Sequence, residues 1–389
     1  MKYSVLNQIR KIRNETLLDI DTSNSNEFRV LIKEHDGLSA YYFSCPIYRL
    51  RDKKLIDLKF YLHEKGHLLF GYNCQIKIDN QIEFTGDKGN FCLTLNNNYN
   101  FNLTDNQDRQ MVTSADIKVY PTFNGIIIEQ QCNQNTNNLS FDLKFNNNRS
   151  NIRTNGNYFA VMQEELVPLM TICAMFAKNC ETEEISPVNL QYFTKDNQNF
   201  QISVDVSKVR TRFKKFSVFI DVNMYSPKMI FDTTVESANP DKNNAFGSVA
   251  FLGNSEDFGE QWLYSRMDTS QLLDLTHLKV EKANLYIPKF SKNDFILEAF
   301  KMSTPWCSFG STWNNKIDFS ELLLKAKILK DYKVIEVLSI LEEILKAGEI
   351  RSSGMVIKLN AKANEFEVLS TGDNYYMPQI LEIKFKNKF

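Results

Sequence analysis

The chain has 389 residues, 46 basic and 47 acidic, for a formal net charge of −1 at pH 7; 43% of its residues are apolar and 24% charged. This is the balance of an ordinary globular protein with room for two or three domains, and it argues against a nucleic-acid partner, which would need clustered Lys and Arg. No membrane insertion is expected, because the longest apolar stretch, Leu166 to Ala177, falls far short of the ~20 residues of a spanning helix and contains Pro168.

Residues 1 to 28 form an N-terminal segment. Within it Val5, Ile9, Ile12 and Leu17 fall on one side of a helix over residues 1 to 20, a candidate docking element. Charges interrupt this segment where a signal peptide needs a continuous apolar core, so synthesis without general secretory export, in the cytoplasm, is expected. From residue 29 the sequence alternates with period two. Ile56, Leu58, Phe60 and Leu62 alternate with Asp57, Lys59 and Tyr61, and Phe200, Ile202, Val204 and Val206 with Gln201, Ser203, Asp205 and Ser207. Each run is a half-buried antiparallel strand, and Asn clusters such as Asn133 to Asn138 mark turns between strands.

The basic cluster Lys208 to Lys215 (KVRTRFKK) interleaves Val209 and Phe213 with its charges and reads as the wet face of a strand and its approach. A boundary falls at Tyr225 to Lys228 (YSPK), between the apolar run Phe216 to Val222 and the next strand, MIFDTTVES. The predicted division is therefore residues 1–28, a β-sandwich region over 29–226, and a second β-sandwich over 227–389. In the second, Ser339 with Glu342 makes a capping box, Ile340, Leu341, Ile344 and Leu345 an apolar stripe, and Gly348 a stop signal, which predicts one short capped helix. The fold class is all-β: two linked antiparallel β-sandwich regions.

Seven cysteines without CxxC spacing give no disulfide framework and suit a reducing compartment. His63-Glu64-Lys65-Gly66-His67 matches the zinc-protease pattern HExxH, whose chemistry needs a helix to bring both imidazoles to one face. Alternating runs enter and leave this segment, so Lys65-Gly66 reads as a hairpin turn that splays the histidines. Phe70 and Asn73 also break the extended pattern. His63, Glu64 and His67 are accordingly rejected as a metal site, and no cofactor is expected. His35 and His277 are isolated. No nucleophile elbow, P-loop or dinucleotide-binding glycine pattern occurs, and no carboxylate pair is singled out by spacing. Among Trp262, Trp306 and Trp313, the candidates for stacking a sugar are Trp306 and Trp313, although packing in the core or at a corner is the favoured reading for tryptophans at such places.

From Ile230 onward the order of motifs resembles the DNRLRE (disaggregatase-related repeat) family. The segment FDTTVESANPDKNNAFGSVAFLGN is similar to its opening strand and Asn-Pro turn. WLYSRMDTSQLL resembles its naming segment, reduced to Arg266 before Asp268. VEKANLYIPKF, STWNN, VIEVLSILEEILKAG, SGMVIKLN and PQILEIKF follow in the family's order over about 160 residues. More loosely, SCPIYRLRDKKLIDLKF and KFSVFIDVNM resemble the β region that precedes such domains in surface proteins of low-GC bacteria. The resemblance implies a non-enzymatic β-sandwich module of cell walls, extracellular complexes or phage particles. Together with the expected lack of an export signal, it implies a structural or adhesive component of a bacteriophage or phage-tail-like particle. The partners would be other particle proteins and further copies of the chain, and the final location a virion or extracellular particle. A carbohydrate-binding module of a bacterial surface protein, with a cell-surface glycan as partner, is the alternative, and a zinc metallopeptidase a distant third.

Overall fold

The computed structural model describes residues 5–21, 25–35, 37–49, 54–55, 60–63, 66–95, 99–105, 110–147, 151–164, 166–268, 270, 279–329, 331–347 and 354–386. The protein is all-β, built from antiparallel sheets with three helices among the described residues. It divides into two units, residues 1–8 with 56–226, and residues 9–55 with 227–389.

The first unit is a pair of antiparallel sheets. One runs in the order 102–105, 110–114, 117–121, 125–133, 215–224, 168–179, 158–162, 152–154; the other runs 189–194, 199–205, 138–145, 89–95, 82–86, 74–78, 66–70, 60–63. Period-two alternation sends every second side chain inward. In the strand Asn199–Asp205, Phe200, Ile202 and Val204 are buried. They share one core with Ile128, Ile172 and Ile220 of the opposite sheet. Phe84 and Phe91, cross-strand partners, stack there with centroids 4.3 Å apart. The run Leu166 to Ala177 becomes the strand Pro168–Asn179, whose first ten residues are all buried. At Asn133 the predicted turn is closed by its own side chain, which accepts from the Asn135 N–H at 2.9 Å.

The basic cluster takes a different form from the predicted strand face. Residues Ser207–Arg212 form a short helix, α2, and the following strand starts at Lys215. The reason is spacing. Val209 and Phe213 stand four residues apart, so one helical turn buries both, at 1% and 2% exposure. The intervening cations then point outward, where Arg210 donates to Asn137 at 2.7 Å and Arg212 pairs with Glu184.

The second unit holds a six-stranded sheet, ordered 29–34, 37–43, 380–386, 279–288, 332–336, 327–329, and a seven-stranded sheet, ordered 319–325, 298–302, 355–358, 259–267, 249–255, 366–370, with 230–236 also paired to 259–267. The strands Arg29–Glu34 and Gly37–Phe43, which the sequence groups with the first β region, belong here. Gly37–Phe43 pairs along its whole length with Ile380–Lys386, and Leu31, Ala40 and Tyr42 enter the same core as Leu381 and Ile383. Alternation shows which side chains turn inward, but not which sheet a strand joins.

Two helices complete the described structure. The first, α1, covers Val5–Arg13, shorter than the predicted 1 to 20; Val5 and Ile9 are buried, while Leu17 lies beyond it at 87% exposure. The helix α3 spans Leu338–Ala347 and buries Ile340 and Leu341 in the second core. It begins one residue before Ser339, with the Leu341 N–H donating to Val337 O at 3.0 Å, so Ser339 stands inside its first turn. Gly348 lies outside the described residues.

Candidate functional site

His63 and His67 lie on two strands of the first unit. Phe60–His63 and Gly66–Phe70 are antiparallel partners, with His63 opposite Gly66 and Leu62 opposite His67. Glu64 and Lys65 lie outside the described residues, and no helix is formed on either side. Gly66 has φ +121°, and a Cβ there would meet Ile78 O at 2.2 Å, so this strand start requires glycine. His67 is buried, and its Nε2 sits 3.1 Å from the carbonyl oxygen of Phe101. That contact fits an imidazole serving the sheet. Among the described residues no group of three or more His, Cys, Asp or Glu is placed to hold a metal ion.

The tryptophans meet in the second unit. Along Gly259–Met267, Leu263 and Met267 point into the core between the sheets, while Trp262 and Tyr264 point to the outer face of the seven-stranded sheet. There they join Met302, Val356 and Trp306 in a separate apolar cluster, with Trp313 and Phe319 packed against it. Trp306 is only 6% exposed and meets Tyr264 edge-on at 5.7 Å, so it is a core residue of this face. Trp313 is half-buried and lies 4.8 Å from Trp262. Only Trp313 of the two predicted candidates therefore offers a surface.

Three cations lie over these rings. Lys316 Nζ is 4.2 Å from the Trp313 centroid and 5.4 Å from that of Trp262; Lys358 Nζ is 5.5 Å from Trp262 and 4.7 Å from Phe300. The Arg266 guanidinium sits 5.6 Å from Trp306 and 5.0 Å from Phe231. The negative faces of the rings attract these charges. Sequence reading missed this arrangement because Lys316, Lys358 and Trp262 are brought together by sheet pairing and not by spacing. The signal that was present is period two: Lys358 follows Val356 on the outward parity of Met355–Lys358.

The same unit buries charge. Lys333 and Glu367, one from each sheet, form an ion pair at 2.8 Å with neither side chain exposed. Burial pushes the Glu367 carboxyl up, against the pull of Lys333 and of the Ser291 hydroxyl. Lys228 pairs with Asp373, and beside them Asp232 accepts from the Gly372 N–H at 2.5 Å and from Gln379 Nε2 at 3.2 Å. Burial, then the charge of Asp373, pushes the Asp232 carboxyl up to about 8. On the outer face of the six-stranded sheet, Glu382 accepts from the hydroxyls of Tyr41 at 2.8 Å and Tyr286 at 2.9 Å. Burial raises its carboxyl, but those bonds and Lys282 outweigh it and leave it below the usual range. Of the seven cysteines, all free, Cys180 and Cys307 are exposed.

Compared with known proteins, the chain matches no family model and no curated protein.

Proposed function

We propose that the chain is a non-enzymatic structural or adhesive component of a bacteriophage or phage-tail-like particle. The observation that carries this reading is the use of buried ionisable groups in the second unit. Lys333–Glu367 ties one sheet to the other, Lys228–Asp373 ties residues next to the unit boundary to the loop after Phe366–Ser370, and Glu382 ties three strands together through Tyr41, Tyr286 and Asn284. Two of the three hold strands against one another and the third holds a loop in place, the use a scaffold makes of buried charge. The motif order resembling the DNRLRE family also falls within this one unit, from Ile230–Glu236 to Ile380–Lys386.

The test is sedimentation. Particles released from the source culture are banded on a density gradient and probed with antibody to the chain. It is expected in the particle band, together with capsid or tail proteins. A monomer confined to the particle-free fraction rules the reading out.

A second reading, the glycan-binding module of a bacterial surface protein, is favoured by one observation: the half-buried Trp313 ring set against Trp262 on an outer sheet face. The two readings meet in an adhesive particle component.

A further inference from the structure

We infer that the outer face around Trp262, Trp313, Lys316 and Lys358 is a binding site for an anionic saccharide. This rests on the adhesive reading above and adds the chemistry of what is held.

Charge carries the inference. Lys316 and Lys358 make no ion pair among the described residues; each ammonium is held only over aromatic rings. Among the described acids nearby, Glu260 accepts the Trp262 indole N–H at 2.7 Å, Asp241 accepts from Asn314 at 2.7 Å, and Asp318, two residues from Lys316, closes no ion pair with it. Glu298 faces Lys358 across the strand pair without closing an ion pair. Two cations thus keep their N–H donors unspent within 5.5 Å of one indole centroid. A ring face does not use those donors, whereas a carboxylate, sulfate or phosphate does, through shorter and stronger charge-assisted bonds.

An incoming anion would draw Lys316 off Trp313 and uncover an indole face of the size and flatness that the C–H face of a pyranose fits. A ligand joining a ring to a pendant acid satisfies both features at once. A nucleic acid does not suit the face, because two lysines do not make a phosphate-tracking stripe. The polar turn that carries Trp313 and Lys316 is itself fixed by Thr312 and Asn315, whose N–H and side-chain oxygen bond at 2.6 Å, so the platform exists before binding.

The experiment titrates the full chain with polygalacturonate, hyaluronan and a glycerol-phosphate polymer, following tryptophan fluorescence, against neutral galactan and polyglutamate. The expected result is a saturable change with at least one acidic saccharide, and an affinity about tenfold lower in Lys316→Gln and in Lys358→Gln, the loss of one charge-assisted contact each. Both variants should stay folded, with thermal melts lowered only by the loss of the cation–ring contacts. Any of four results overturns the inference: no binding of the acidic saccharides, equal binding of galactan, equal binding of polyglutamate, or unchanged affinity in both variants. Failure here with the chain still in the particle band removes this site alone. Binding without sedimentation keeps the site and removes the particle.

Discussion

The two units fill their interiors differently. In the first, the sheets meet through apolar side chains, and its buried polar groups include amide bonds such as Asn124 to Asn73 at 2.6 Å and Asn124 to Met224 O at 2.8 Å. The second has an apolar core as well, but it also carries a full ion pair between its sheets and a Lys with two carboxylates beside the loop 371–377. Apolar contact is non-directional, so it stabilises a sandwich without fixing how far one sheet slides over the other. An ion pair without water tolerates one arrangement only. The second unit therefore trades desolvation cost for register.

The largest expected effect comes from breaking that tie on one side. Lys333→Met leaves Glu367 buried without its cation and should cost about 3–5 kcal/mol, read from denaturant unfolding. Lys333→Met with Glu367→Leu should recover most of it, because the lone charge is gone. If the single change costs nothing, the pair is not buried as described. Next in size is a contrast within one aromatic face. Trp306→Ala removes a 6% exposed side chain and should cost about 3 kcal/mol, while Trp313→Ala, half-buried, should cost about 1 kcal/mol. Similar losses for both would mean that Trp313 is core as well, which would weaken the binding face.

This contrast also shows what the sequence could carry. The apolar alternation of Phe200, Ile202 and Val204 is written in consecutive residues, and so were the strands of the first core. Lys333 and Glu367 are 34 positions apart, each sits in a short run that any exposed strand could have, and nothing local marks either as buried. Strand membership was equally hidden: Gly37–Phe43 reads as a strand on its own residues, but its partner Ile380–Lys386 lies at the other end of the chain. Val209 and Phe213 show a third limit. A segment of nine residues between two strands leaves helix and extended periods nearly indistinguishable, and the burial of both residues decided it. Of the proposed binding face, Trp313 was legible by type. Lys316 and Lys358 were not, since their meaning comes from the rings beneath them.

A further effect depends on pH. The Asp232 carboxyl is held up to about 8 in the folded state against ~3.9 unfolded. Folding favours its protonated form, so its contribution is complete below about pH 4 and is lost as pH rises through about 8. Glu382 works in the opposite sense: its folded value is depressed, so its contribution is present above the unfolded value of ~4.3 and is lost as pH falls. Between about pH 4 and 8, hydrogen exchange in residues 366–377 should accelerate relative to the first core. Asp232→Asn should flatten that rise, since an amide oxygen can still accept from Gly372 and Gln379. A rise of equal size in the variant would assign it to another group.

The smallest expected effect belongs to the first unit, where the comparison is tested by a null result. If HEKGH serves as a hairpin, metal should not stabilise it, because a ligand that binds only the folded state raises the melting temperature with its concentration. Adding zinc or a chelator should leave the melt where it was, and His63→Ala should not change the metal content of the purified chain. His67→Ala is the informative partner. Its ring meets Phe101 O at 3.1 Å, next to the first strand of the opposite sheet, so truncation should destabilise by about 1 kcal/mol with or without metal. A loss seen only when zinc is present would reverse the assignment: the first unit would then be held by a coordinated ion and the second by its own charges, and the contrast between them would become one of cation source.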